Sequence, residues 1–362
     1  MKTVLLHIKK LDWLMLISVF LLVGMGLLSI YSSSFGKGDF LNFKKQIIFF
    51  GIGIFLLFLF SFFDWRAFKE NPYLILILYL LCCLSLFGLF FFSEIRGVKS
   101  WYKIGQITVQ PAEFLKIILI ILLAKHFSLR HIEMYRLKHI FQSGLYVLIP
   151  AILIFFQPDL GQVIILVLLW LGILIISGIK IRQFLLVIFL FLLIAIFSWS
   201  TLLKDYQKER IIGFIFPYDP LGISWSQNQS KIAIGSGGIF GQGIKKGSQT
   251  QYGFLTEPQT DFVFAAIAEE MGLKGVFCLL FLFSILLWRI MRISFLAQKN
   301  FARLFAGGFA VLLISQIFIS IGMNLGLIPV IGISLPFISY GGSNLIANFI
   351  ALGILQNLKT NP

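Results

Sequence analysis

The stretch TEPQTDFVFAAIAEE, Thr256 to Glu270, sets Asp261, Glu269 and Glu270 at and just inside the start of a long apolar run. Asp261 follows Pro258 and Thr260 at a helix start and has no basic residue at helical spacing on either side. Its carboxylate either caps that helix together with Thr260 or stands ready to take a proton from a hydroxyl. Eight residues of helix turn through about 800°, which places Glu269 two turns below Asp261 with an offset of about 80°. Two further acids have basic neighbours: Glu113 and Lys116 at i, i+3, and Glu270 and Lys274 at i, i+4 with the acid first, the favourable order. Asp159 stands in QPDLG between two apolar runs. Charges at such depth cost several kcal/mol unless they face the protein interior or a wet cavity, so they mark either a functional cavity or struts that hold helices in register.

The elements that must position these residues follow from composition. With 59% hydrophobic and 12% charged residues and a mean hydropathy of +0.95, the chain lies far outside the soluble globular range. Apolar runs near 11–34, 46–63, 73–93, 109–127, 140–156, 160–178, 182–203, 261–288, 303–326 and 336–358 give about ten helices by the span-length rule. The expected fold is an all-α polytopic membrane bundle, residues 1–362 forming one domain. A short interruption, Glu94 to Thr108, and a long one, Lys204 to Thr260 between helices seven and eight, break the pattern. The first run is too long for the core of a cleavable signal and no small-x-small site follows it.

Basic residues fix the orientation. Lys2, Lys9, Lys10, Arg66, Lys69, Lys125, Arg130, Arg136, Lys138, Lys180, Arg182, Arg289, Arg292, Lys299 and Arg303 all fall on one side if the spans alternate, and that side is the cytoplasm. Both termini are then inside, and 204–260 faces out. The formal charge of +15 is thus a matter of topology and attraction to anionic lipid rather than of nucleic-acid binding.

The outer segment carries GSGGIFGQG, Gly235 to Gly243, which fits neither nucleotide-loop pattern; its glycines let the backbone turn sharply and approach another chain segment or lipid headgroups. Cys82, Cys83 and Cys278 lie in apolar runs and read as small hydrophobes, while His126, His131 and His139 fall in a basic inner loop without metal-ligand spacing.

Several of these motifs together resemble the SEDS family (shape, elongation, division and sporulation), the polytopic peptidoglycan glycosyltransferases that include RodA and FtsW. The resemblance rests on QPAEFLK (Gln110 to Lys116), QPDLG (Gln157 to Gly161), QSKIAIGSGGIFGQG (Gln229 to Gly243), EPQTDFVFAAIAEEMG (Glu257 to Gly272) and NLGLIPVIGISLPFISYGGSNL (Asn324 to Leu345), in order along the whole chain. GSGGIFGQG and EPQTDF look most like the elongation branch. What the resemblance implies is a bacterial inner-membrane enzyme that polymerises lipid II into glycan strands beside a class B penicillin-binding protein. It also implies that Asp261 is the essential aspartate, that Trp101, Glu113 and Glu269 are needed positions, and that Lys116 lines a central cavity. Gln229, Ser230 and Asp159 belong to the same motifs and join the candidate substrate-binding residues. The chain departs from many relatives in having Ser100 before Trp101 where they have a basic residue, which either shifts a diphosphate contact onto Arg96 or Lys99 or removes it. It also has Thr256 where they have proline.

Glycosyl transfer from a lipid diphosphate needs a base for the attacking hydroxyl, positive charge for the leaving diphosphate, and a site at the lipid surface. Asp261 supplies the first; Arg96, Lys99 and Lys116, or a divalent cation, supply the second. In-line attack on an α-linked donor gives a β-linked product with inversion and needs one base, whereas a hydrolase needs a second acid beside the sugar. A lipid flippase or proton-coupled carrier would share the buried charges and the breaks at Pro329, Pro336, Gly341 and Gly342, although no inverted repeat is evident. A recruiting scaffold would not require buried acids.

Overall fold

The computed structural model describes residues 7–63, 72–92, 94, 97–129, 137–201, 203–216 and 225–360. Of the residues weighed above, Lys2, Arg66, Lys69, Arg96, Arg130, His131 and Arg136 lie outside them. Ten long helices run through the described chain: α1 (Trp13–Lys37), α2 (Leu41–Phe62), α3 (Pro72–Gly88), α4 (Pro111–Ser128), α5 (Leu137–Phe156), α6 (Leu160–Ser177), α7 (Ile181–Thr201), α11 (Val263–Leu296), α12 (Asn300–Leu325) and α13 (Gly342–Thr360). The outer segment contributes three short ones, α8 (Asp205–Ile215), α9 (Trp225–Ser236) and α10 (Ser248–Gln251). Their ends carry ordinary stop and start chemistry: Asp12 and Asp159 cap α1 and α6 with their side chains, and Gly38, Gly178 and Gly326 close α1, α6 and α12 in the left-handed conformation.

Eight of the ten are long and apolar enough to cross a membrane by length and composition. The other two, α4 and α13, carry the polar residues, and they can do so because they are buried along most of their length rather than facing lipid. Large apolar side chains on α2, α3 and α7 point outward instead, and on α7 only Val187 is buried. His126 and His139 belong to α4 and α5 and are buried, so the expected basic loop for them is replaced by a helix pair with ring centroids 6.0 Å apart. The three cysteines are free.

A two-stranded hairpin, β1 (Tyr102–Ile104) and β2 (Ile107–Val109), fills the short interruption and turns at Gly105, whose φ is 61°. Tyr102 ties it to the bundle by donating its hydroxyl to the Ser85 carbonyl.

The glycine-rich outer segment meets α11 where that helix is broken. Gly272 has φ 66° and ψ −165°, a conformation reserved for glycine, and it interrupts the helical ladder between Glu270 and Leu273. The polar groups freed by the break are taken up by the backbone of 238–243. Gln242 and Gly243 donate to the carbonyls of Glu269 and Glu270, and Leu273 and Lys274 donate to those of Gly238 and Ile239. A Cβ at Gly272 would lie 2.3 Å from the Gly241 nitrogen, and one at Gly237 would lie 2.0 Å from the Ala268 carbonyl oxygen. The sequence-level expectation of sharp turns and close backbone approach is thus realised, with α11 as the partner. Gly272→Ala should lower stability by about 1–3 kcal/mol from the backbone conformation alone, with the clash added. Thermal unfolding in detergent, set beside Gly51→Ala, where an added Cβ meets nothing within 4 Å, would read the difference.

The break also separates Glu270 from Lys274. Their expected i, i+4 pair does not form, because it requires continuous helix; the Lys274 ammonium sits 4.0 Å from the centre of the Phe240 ring instead.

Candidate active site

Asp261 lies in the turn that leads into α11, half-buried at one end of the bundle. The turn begins at Glu257, held at φ 44°, whose carbonyl accepts from the amides of both Thr260 and Phe262. Its other main-chain groups are pinned from several elements. Tyr340 donates to the Gln259 carbonyl, Ser339 Oγ to the Thr260 carbonyl at 2.6 Å, and Asn324 Nδ2 to the Asp261 carbonyl at 2.9 Å. The Gln259 side chain accepts from Asn42 of α2 and donates to Ser34 of α1. Such a turn holds its carboxylate in one place without further cost when chemistry occurs.

Of the two readings of Asp261, the cap shared with Thr260 is not what starts α11. The N-cap is Phe262, which offers no side-chain bond, and the first turn is capped from a distant helix: Asn324 Oδ1 accepts from Ala265 N at 3.1 Å. Because Asp261 precedes the helix, the offset drawn along a continuous helix to Glu269 does not apply either.

Glu269 and Glu270 are buried and both hold the outer segment. Glu269 accepts from the amides of Gln249 (2.6 Å) and Thr250 (3.0 Å) and from the hydroxyls of Thr250 (2.7 Å) and Ser248 (3.3 Å), so its carboxylate closes the first turn of α10. Glu270 accepts from Ser32 of α1 and from Gln251 Nε2, while Ser32 Oγ accepts from Lys245 N.

The second charged group gathers at the start of α4. Lys116 Nζ lies 2.8 Å from Glu113 Oε2, both side chains being almost fully buried. Glu113 also accepts from Gln162 Nε2 of α6 at 3.0 Å and Asn344 Nδ2 of α13 at 2.8 Å. Beyond that carboxylate the ammonium finds no further acceptor among the described residues. A buried cation with donors left over is costly unless something polar meets it.

Asp159 caps α6 through Gln162 N and accepts from Ser100 Oγ at 3.0 Å and Gln110 Nε2 at 3.4 Å. Desolvation raises its carboxyl above the ordinary range, against those hydrogen bonds and the Lys116 charge, which lower it. Ser100, the departure noted in the sequence, therefore has a definite partner. Trp101 is partly buried beside it, and Lys99 sits at the exposed rim, 3.9 Å from Glu94 Oε1. Ser230 is buried and donates to the Asn324 carbonyl; Gln229 is buried on the same helix. Lys231, next along α9, lies over Gly326 and brings a cation that the sequence did not single out.

The segment 331–333 links the two charged groups. A Cβ on Gly332 would lie 3.9 Å from Asp261 Oδ2, and one on Gly161 of α6 would lie 2.6 Å from the Ile331 carbonyl oxygen. Asp261 thus stands on one side of this segment, and α6, which carries Asp159 and Gln162, on the other. Asn324, Gln162 and Asn344 escaped the sequence reading because amides carry no charge signal in apolar runs. Only their place within the quoted motifs, or beside one, hinted at them. Among the described residues no three His, Cys, Asp or Glu side chains gather as a metal set.

A family model described as "Cell cycle protein", covering FtsW, RodA and SpoVE, matches residues 12–362. The chain belongs to the FtsW/RodA/SpoVE family. Within that family it is 37% identical over 286 residues to the peptidoglycan glycosyltransferase MrdB of Escherichia coli (strain K12), covering 78% of this chain and 77% of that one. It is 35% identical over 364 residues to the stage V sporulation protein E of Bacillus subtilis (strain 168), covering 96% of each. Among solved structures it superposes with a TM-score of 0.81 and 30% identity on a chain of a peptidoglycan synthase complex described as coordinating polymerisation and crosslinking, covering 97% of this chain and 98% of that one. It superposes with a TM-score of 0.72 and 27% identity on the rod shape determining protein RodA of Thermus thermophilus, covering 97% of each. The FtsW/RodA/SpoVE membership agrees with the resemblance read from the motifs and with the all-α polytopic architecture.

Proposed function

We propose that this chain is the peptidoglycan glycosyltransferase of a cell-elongation system, polymerising lipid II at the outer face of the bacterial inner membrane with Asp261 as general base. The observation that carries the reading is a half-buried carboxylate on a pinned turn, together with a buried Lys116 ammonium that has the Glu113 carboxylate, 2.8 Å away, as its one ion-pair partner among the described residues. In the proposed reaction the acceptor sugar hydroxyl passes its proton to Asp261 as its oxygen attacks the anomeric carbon of the donor. The bond from that carbon to the diphosphate oxygen breaks with inversion, and the diphosphate leaves with the electron pair. Lys116, with Lys99 and Lys231 as further cations of this end, offsets the charge that develops there. Glu113, Asp159, Gln162 and Asn344 hold Lys116 and the start of α6 in place. Glu269 and Glu270 serve by fixing the segment 245–251, and Gln227 and Ser230 by seating α9 on the end of α12. Trp101 presents an aromatic surface at the same rim.

A class B penicillin-binding protein fits as partner, since the superposed relative works in a complex that couples polymerisation to crosslinking. Purified protein given lipid II should yield polymer on a gel; lipid II transported across vesicles with no polymer would instead support a flippase.

The reading places 204–260 outside and both termini in the cytoplasm. In a Cys278→Ser background, Tyr252→Cys should react with an impermeant thiol reagent on intact cells and Leu129→Cys should not; both positions are well exposed, at 78% and 68%. Labelling at position 129 alone would invert the orientation.

A further inference from the structure

The end of the bundle opposite the Asp261 turn has a cavity of about 260 Å³ where the start of α1, the end of α11 and the end of α13 meet. Its polar wall is Asp12, Arg289, Arg292 and Lys359, and Ile293 and Leu296 form part of its apolar wall. Arg289 grips Asp12 through both Nε and Nη2, the latter at 2.6 Å from Oδ2, and Lys359 Nζ reaches the same oxygen at 3.1 Å. One carboxylate thus answers two cations, and Arg292 adds a third: the wall holds two more positive than negative charges.

Depth is marked by tryptophan. Arg289 and Arg292 lie 5.5 and 5.8 Å from the Trp288 ring, and Trp13 follows Asp12 on the same end; both indoles are well exposed. Exposed tryptophans at the ends of apolar helices sit at headgroup level. A cationic wall over an apolar floor at that level complements a phosphate joined to acyl chains, whereas a soluble anion would have no use for the floor. We propose that this cavity binds the phosphate headgroup of an anionic phospholipid, with Arg292 and the surplus charge of the Arg289 and Lys359 pair on the phosphate and acyl carbons along Ile293 and Leu296. The site is independent of the Asp261 chemistry and requires no change in it.

Native mass spectrometry of the full-length protein, with phosphatidylglycerol or phosphatidylcholine added in detergent, tests the assignment. The parent should retain one phosphatidylglycerol in preference to phosphatidylcholine. Arg292→Gln, an exposed substitution, should weaken that retention about fivefold, the fold-change matching ~1 kcal/mol for one cation at a membrane surface, while Arg292→Lys keeps most of it. Equal retention of the two lipids by the parent, or undiminished retention by Arg292→Gln, would overturn the proposal. So would displacement of the bound lipid by inorganic phosphate, which would make the ligand a soluble anion.

Discussion

Asp261→Asn should insert, fold and melt as the parent does, yet make little or no polymer from lipid II. Loss of a general base typically lowers rate by roughly 10²- to 10⁴-fold, and asparagine cannot take the proton. The structure sharpens the test, because the turn is held through main-chain groups of Gln259, Thr260 and Asp261 and the helix is capped by Asn324. Neither support depends on the Asp261 carboxylate as a cap, so a lost activity would not be explained by a frayed helix. Polymer from the variant at more than about a tenth of the parental rate would remove Asp261 from the role of base.

Glu113→Ala should be severely destabilising, by about 3–5 kcal/mol, because it leaves the buried Lys116 ammonium without its counter-ion and strips Gln162 and Asn344 of an acceptor. Glu113→Gln separates the two consequences. It preserves shape and one acceptor oxygen while removing the charge that holds Lys116, so it should destabilise less than Glu113→Ala while polymerisation falls further than expression does. Should Glu113→Gln polymerise normally at parental expression, the pair is a strut and the activity resides elsewhere. Size-exclusion profiles and gel assays on the same preparations provide both readouts.

These two sites also mark how far the sequence was legible. Charge in an apolar run is conspicuous, so Glu113, Lys116 and Asp261 stood out, and the i, i+3 spacing gave the first pair directly. The ten helices were legible because each needs a long apolar or interior-facing run, α4 and α13 included. What failed were inferences that assumed an unbroken helix. Gly272 carries no warning of its own, since a single glycine is tolerated in a helix, and only the docking of 238–243 fixes its unusual backbone. The Glu270 pairing with Lys274 and the Glu269 offset fell to that cause or to a boundary one or two residues away. Uncharged partners drawn from distant segments, such as Asn324 capping α11 across 59 residues, lie beyond any local pattern.

The break in α11 bears on how the bundle is held together. Main-chain groups left open in lipid would be costly, and the backbone that satisfies them, 238–243, lies only about thirty residues earlier in sequence. Closing so short a loop is entropically cheap, and the contact forms between near neighbours in sequence. Glu270 adds a long-range tie by accepting from Ser32 of α1, 238 residues away in sequence. The break in α11 is thus seated on α1 as well as on 238–243, while α13 packs on α2, where a Cβ at Gly53 would meet Phe349 and one at Gly353 would meet Leu57.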